Sequence, residues 1–196
     1  MELHHNIPTT SPDKGIVLRS VAADWLQTGI QLLQNVLATD AQLTTVSSLV
    51  PGSTVGKHLR HLHDHFRILL DAAISPNNEV NYDSRGRNMP METSIAVALQ
   101  EFCTLRERLL NQNQHIQQVP SSDLPLRLSA TTPHSLQFHT SFGRELWFAS
   151  LHAIHHYALI RVIVTGELGL QLPADFGVAP STIANNEGMK NDKAKM

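Results

Sequence analysis

Apolar residues recur every three to four positions through four stretches of the chain, and each stretch reads as a helix burying one face. The first, IVLRSVAADWLQTGIQLLQNVLA at about 16–38, carries Val21, Trp25, Leu32, Leu33 and Val36 as its stripe. The turn VPGST follows, and Ser53 or Thr54 can cap a second helix at about 54–74. The polar run SPNNEVNYDSRGRNMPM, 75–91, then breaks the pattern as a long connection, a kind of segment that often carries function. A third helix follows in ETSIAVALQEFCTLRERLLNQ, with Ile95, Leu99, Phe102, Leu105 or Arg106, and Leu109 marking one face. The period then drops to two in LPLRLSA and SLQFHTS, which predicts a β-hairpin over about 124–140. The fourth helix starts near Phe142 and runs to about Thr165, where Gly166 reads as a stop. What remains reads as loop, ending in a polar tail expected to be mobile. The sum is an all-α four-helix bundle with a long crossover between its second and third helices and a small hairpin before the last. One domain is expected over 15–185, with an N-terminal extension at 1–14 and a flexible tail at 186–196.

Composition narrows the function classes. A chain of 196 residues with 41% hydrophobic content suits one domain with a core of useful size. The formal charge is -2 and no basic cluster appears, so nucleic acid is not an expected partner. Cys103 is the single cysteine, which excludes an intrachain disulfide or a cysteine-built zinc site. MELHHNIPTTSPDKG lacks the basic and apolar regions of a signal peptide, and no apolar run approaches membrane-spanning length; a cytoplasmic protein is expected.

The unusual feature is histidine. Of twelve, four stand in HLRHLHDH at 58–65 and three in LHAIHHYALIR at 151–161. A helix turns about 100° per residue, so His152 and His156 share a face and can grip one ion. His155 points away from that pair. On the second helix His58, His61 and His65 share a face while His63 does not, and one nitrogen from that face would complete a three-histidine site. Bundle cores are where such sites are assembled from facing helices. Neutral imidazoles suit zinc, nickel, iron or copper rather than magnesium or calcium, and three ligands leave positions for water or substrate. His4, His5, His115, His134 and His139 read as surface or loop residues.

The order helix, GKHLRHLHDHF, long loop, helix, hairpin, LHAIHHYALIR resembles the DinB-like superfamily of four-helix metalloproteins, and more closely a bacterial branch of it. The stretches NYDSRGRN, SFGRELWFASLHAIHHYALIR and LPADFGVAPST extend the resemblance over about 16–185. The resemblance implies an up-down-down-up bundle whose metal ligands are His152, His156 and, from the second helix, His61, with His58 and His65 as alternatives. It implies zinc or nickel, with iron in related domains. It further implies homodimers and metal-dependent chemistry such as thiol transfer from low-molecular-weight thiols.

A catalytic site needs more than ligands. Asp64 is a candidate helper, His65 a candidate proton shuttle, and Tyr82 a candidate contact from the crossover, where Asp83, Arg85 and Arg87 could help hold an anionic substrate. Glu145 has an electrostatic reason to stand at a helix N-terminus. Arg60 and Arg161 read as buried ion-pair residues, and Trp25 and Trp147 as core. The expected function is a metal-dependent hydrolase or thiol transferase acting on a small molecule. The rival is a non-catalytic metal- or ligand-binding bundle.

Overall fold

The computed structural model describes residues 13–84, 86–110, 120–131 and 133–193, the last seven by backbone only. His4, His5, Arg85 and His115 lie outside the described residues. Four long helices, α1 (Lys14–Asn35), α3 (Val55–Ile74), α4 (Ile95–Leu110) and α5 (Phe142–Gly166), dominate the fold. Short α2 (Asp40–Thr44) follows α1, and α6 (Pro180–Lys193) ends the described chain. α1 packs against α4 and α5, and α3 against the same two, which closes the long helices into a ring.

Each long helix begins where the sequence supplies a cap. The Asp13 side chain accepts from Ile16 N–H for α1, Thr54 from Lys57 N–H for α3, and Ser141 from Arg144 N–H for α5. α4 is capped from a distance: Asp40, at the start of α2, accepts from Ile95 N–H at 2.8 Å. α2 escapes the periodicity because five residues are too few to show it, yet it holds the start of α4.

Leu26, Leu33, Leu62, Phe66, Phe102 and Ile160 exemplify the fully buried core. Glycine lets two helix contacts close. A Cβ on Gly29 would collide with the Phe102 ring, and one on Gly56 with the Glu92 carbonyl oxygen. α3 is buried almost all round, polar positions included.

The crossover is shorter on loop than its composition suggests. Glu79–Val80 forms β1, which pairs in parallel with β2 (Pro125–Thr131), and Pro90–Glu92 makes a 3-10 turn against α3. The predicted hairpin is present, with β2 antiparallel to β3 (Ser135–Ser141) and Leu126 opposite Thr140. The sheet therefore has three strands, in the order β1-β2-β3.

The expectation of loop after α5 fails at α6. Two further departures concern single side chains. Trp147, expected in the core, is 50% exposed, with the Arg144 guanidinium 5.0 Å above its ring. Arg161, expected in an ion pair, instead donates to the carbonyls of Pro173, Ala174 and Phe176. That clamp folds the LPADFGV segment onto α5 and buries Phe176 against Tyr157. Among the described residues no helix is long and apolar enough to cross a membrane.

Candidate metal centre

The α3–α5 contact brings the two histidine clusters together. One nitrogen each from His61, His152 and His156 lie within 4.8 Å of one another. The His152 and His156 Nε2 atoms are 3.1 Å apart. Two nitrogens on one tetrahedral ion, each about 2.05 Å from it, stand about 3.4 Å apart, so small side-chain movements would bring the set to ligand geometry. The group could therefore hold a metal ion, and its all-nitrogen chemistry suits a divalent transition metal.

Burial keeps His156 and its neighbour His58 neutral. His156 is buried, and desolvation followed by the charges of His61, His152, His58 and His155 lowers its pKa to about 2. The His58 pKa falls to about 4, through burial first and then His155. Both rings are thus neutral near pH 7, each with one N–H and one lone pair.

His58 and His65, which share a helix face with His61, occupy different places. His58 Nδ1 lies 2.8 Å from His156 Nδ1, on the ring edge away from His152, while its Nε2 lies 2.7 Å from Ser53 Oγ. His65 donates from Nδ1 to the His61 carbonyl at 3.0 Å. Its ring is stacked between His152 and Tyr82, with centroids 4.0 and 4.7 Å away. His155 is exposed and outside the three-nitrogen group.

Tyr82 adjoins this layer from just after β1. Its hydroxyl donates to Glu145 Oε2 at 3.0 Å, and Thr140 donates to the other oxygen at 2.7 Å. Burial, reinforced by the Glu145 charge, raises the Tyr82 pKa far above its ordinary value. The phenol is consequently a hydrogen-bond donor and not a base. Glu145 thus gains a role that its position at a helix start concealed. Among the other crossover candidates, the Asp83 carboxylate accepts from Thr131 N–H at 3.0 Å and ties the connection to the hairpin, and Arg87 is exposed.

Asp64 departs from its expected place beside the ligands. One of its oxygens accepts from Arg60 at 3.0 Å and the other from Arg67 at 3.1 Å. Arg60 also donates to Glu92 at 3.0 Å, so the expected ion-pair role of Arg60 is realised in a buried network. Asp64 sits about 60° round the helix from His61 and joins His63 and Arg67 along a cavity of about 490 Å³ beside Met91 and Glu101. His63 points to that side as well, its Nε2 3.3 Å from the Glu101 carbonyl.

Comparison with protein families matches residues 25–160 to the DinB superfamily, a span that contains every histidine of the centre. A curated relative, FK506-binding protein 5 of Rhizopus delemar, is 37% identical over 162 residues, 81% of this chain and 35% of that protein. The chain thus spans about a third of that relative's length. No solved structure matches it.

Proposed function

The chain belongs to the DinB superfamily, and on that footing we propose that it is a metal-dependent enzyme of hydrolase or thiol-transferase type. His61, His152 and His156 are its metal ligands. The observation that carries the reading is the convergence of three imidazole nitrogens from two facing helices within 4.8 Å. Zinc or nickel suits this donor set, and iron is compatible with it. When bound, such an ion supplies Lewis acidity to an attacking water or thiol. The substrate is a small molecule, with low-molecular-weight thiols among the candidates, and the assembly is a cytoplasmic homodimer of up-down-down-up bundles.

The surrounding side chains have assignable work. His65, its Nδ1 proton committed to the His61 carbonyl, keeps Nε2 as an acceptor and serves as proton shuttle. Tyr82, held protonated and hydrogen-bonded to Glu145, fixes the His65 ring by stacking on it. Asp64 is committed to two arginines and has a structural part. Three protein ligands leave coordination positions open, which favours catalysis over a purely structural ion.

Metal content of tag-free protein, measured by plasma mass spectrometry, tests the reading. Wild type is expected to carry close to one transition metal per chain, and the His152→Ala/His156→Ala variant to carry none. No metal in wild type, even after incubation with zinc, nickel and iron, would leave the clusters structural and remove the enzyme reading. A single metal that never exchanges its remaining positions with added anions or thiols would favour the non-catalytic bundle.

A further inference from the structure

We infer that His58 is a positioning residue for the metal centre: it accepts the Nδ1 proton of His156 and so presents Nε2 of that ring as a lone pair toward His61 and His152. The inference rests on the metal reading above and assigns a residue that reading leaves without work.

The argument begins with a proton count. Two ring nitrogens 2.8 Å apart form a hydrogen bond only when one carries a proton and the other does not. The pair can therefore be polarised in two ways. In one, Ser53 donates to His58 Nε2, His58 Nδ1–H donates to His156, and His156 holds its own proton on Nε2. That ring then aims a proton at His152, and it cannot ligate. In the other, His156 Nδ1–H donates to His58 Nδ1, His58 Nε2–H donates to Ser53 Oγ, and His156 Nε2 is a bare lone pair. Metal binding requires the second polarity, and the Ser53 hydroxyl, which can accept as well as donate, permits both.

The relay is built into the fold at each point. Ser53 is held by a closed loop in which its carbonyl accepts from Ser47 N–H at 2.9 Å and its N–H donates to Val50 at 3.1 Å. Gly52 makes the turn before it at φ 74°, and the next residue, Thr54, caps α3. His58 sits one turn into that helix, buried, with both nitrogens engaged. The geometry also separates this role from ligation. His58 meets His156 on the Nδ1 edge of the ring, whereas His152 meets it on the Nε2 edge, where a shared ion would be held. Metal-bound histidines commonly hand their second N–H to an acceptor in this way, which fixes the tautomer and ring orientation.

Three variants and one spectrum test it. His58→Asn places an amide oxygen close to where Nδ1 stands and keeps an acceptor, whereas His58→Leu fills the space without one. Zinc affinity, read by competition with a chromophoric chelator, should fall about 10–100-fold in His58→Leu and recover most of the loss in His58→Asn. The ligand variant His61→Ala sets the scale of a true ligand loss. In zinc-loaded wild type, long-range 1H–15N spectra should show His58 as the Nε2–H tautomer, and this readout stands even if His58→Leu fails to fold. Undiminished zinc affinity in folded His58→Leu, beside a large loss in His61→Ala, overturns the inference and leaves the metal reading intact. So does an Nδ1–H tautomer at His58. Losses in both His58 variants as large as in His61→Ala would make His58 a ligand and overturn it as well. If wild type binds no zinc and His61→Ala is indistinguishable from it, the metal reading fails and the inference falls with it.

Discussion

His63→Leu isolates the energetic consequence of a buried histidine that serves no ion. His63 is 3% exposed, its ring 5.4 Å from that of Phe102, and its Nδ1 is buried with no hydrogen-bond partner. Desolvation, the largest cause, lowers its pKa from 6.5 to about 4, against smaller opposing effects of the Glu101 carbonyl and the Asp64 charge. The unfolded chain therefore takes up a proton on this ring as the pH falls through 6.5, while the folded protein does not until about 4. Because the folded pKa is the lower one, the stabilisation is fully present above pH 6.5 and is lost progressively on acidification toward pH 4. The full window corresponds to roughly 3 kcal/mol, of which about 2 kcal/mol is gone by pH 5. Leucine has no proton to take up. At pH 7.5 the variant loses only the long bond from Nε2 to the Glu101 carbonyl, a cost of about 1 kcal/mol or less. Urea unfolding of both chains in chelator, at pH 7.5, 6.0 and 5.0, would measure the difference. The expected outcome is near-equality or a small deficit for the variant at pH 7.5, turning into an advantage by pH 5. Parallel stability profiles across that range would refute the reasoning, since every other histidine is common to both proteins.

Two further expectations follow from the same side of α3. Arg60→Met removes the counter-charge of the Glu92 carboxylate and one partner of Asp64, both nearly excluded from water, and should cost about 3–5 kcal/mol in urea unfolding. Adding Glu92→Leu to that variant should recover much of the loss, because an apolar pair replaces an unpaired buried charge. Gly56→Ala drives a methyl group into the Glu92 carbonyl, where backbone cannot swing aside as a side chain can. It should lower stability by about 1–3 kcal/mol, visible as a reduced midpoint in thermal unfolding.

The long helices and the hairpin were legible because their signals are local: a period of 3.6 or 2, a capping serine or threonine, and a stop. Thr54 and Ser141 sit at the caps that such signals mark. Which positions face inward was less legible. On α1 the stripe drawn through Val21 and Trp25 is rotated from the buried one, which runs through Ala22, Leu26, Ile30 and Leu33. Alanine and glycine carry little hydrophobic weight in a sequence pattern, yet Ala22 is fully buried and Gly29 is what lets Phe102 of α4 approach α1. α2, β1 and α6 were illegible for other reasons. The first two are too short to show a period, and β1 exists only because a strand distant in sequence accepts it. The three-histidine group was legible from spacing and resemblance together. The partners of its outer shell were not: Ser53, Glu145 and Thr140 each reach the site through contacts that no local pattern encodes.

The residues of HLRHLHDH make sense when α3 is taken as a helix with two polar faces, both buried. His58, His61 and His65 face α5 and His152 and His156, while Arg60, His63, Asp64 and Arg67 face the other way, toward Glu92 and Glu101. In a helix so rich in buried polar groups, each of them must be matched or stand as a cost. On the ion-pair face the matching is by charge, Arg60 and Arg67 against Asp64 and Glu92, with one His63 nitrogen left over. On the histidine face the contacts run nitrogen to nitrogen, His58 to His156 at 2.8 Å and His156 to His152 at 3.1 Å, each of which needs a shared proton. The ion-pair face has its counter-charges within the chain, whereas three nitrogens of the histidine face converge on one point. A bound cation would draw one nitrogen each from His61, His152 and His156. The asymmetry between the two faces is therefore a physical reason, independent of family membership, to place the ion on the α5 side of α3 and stability on the other.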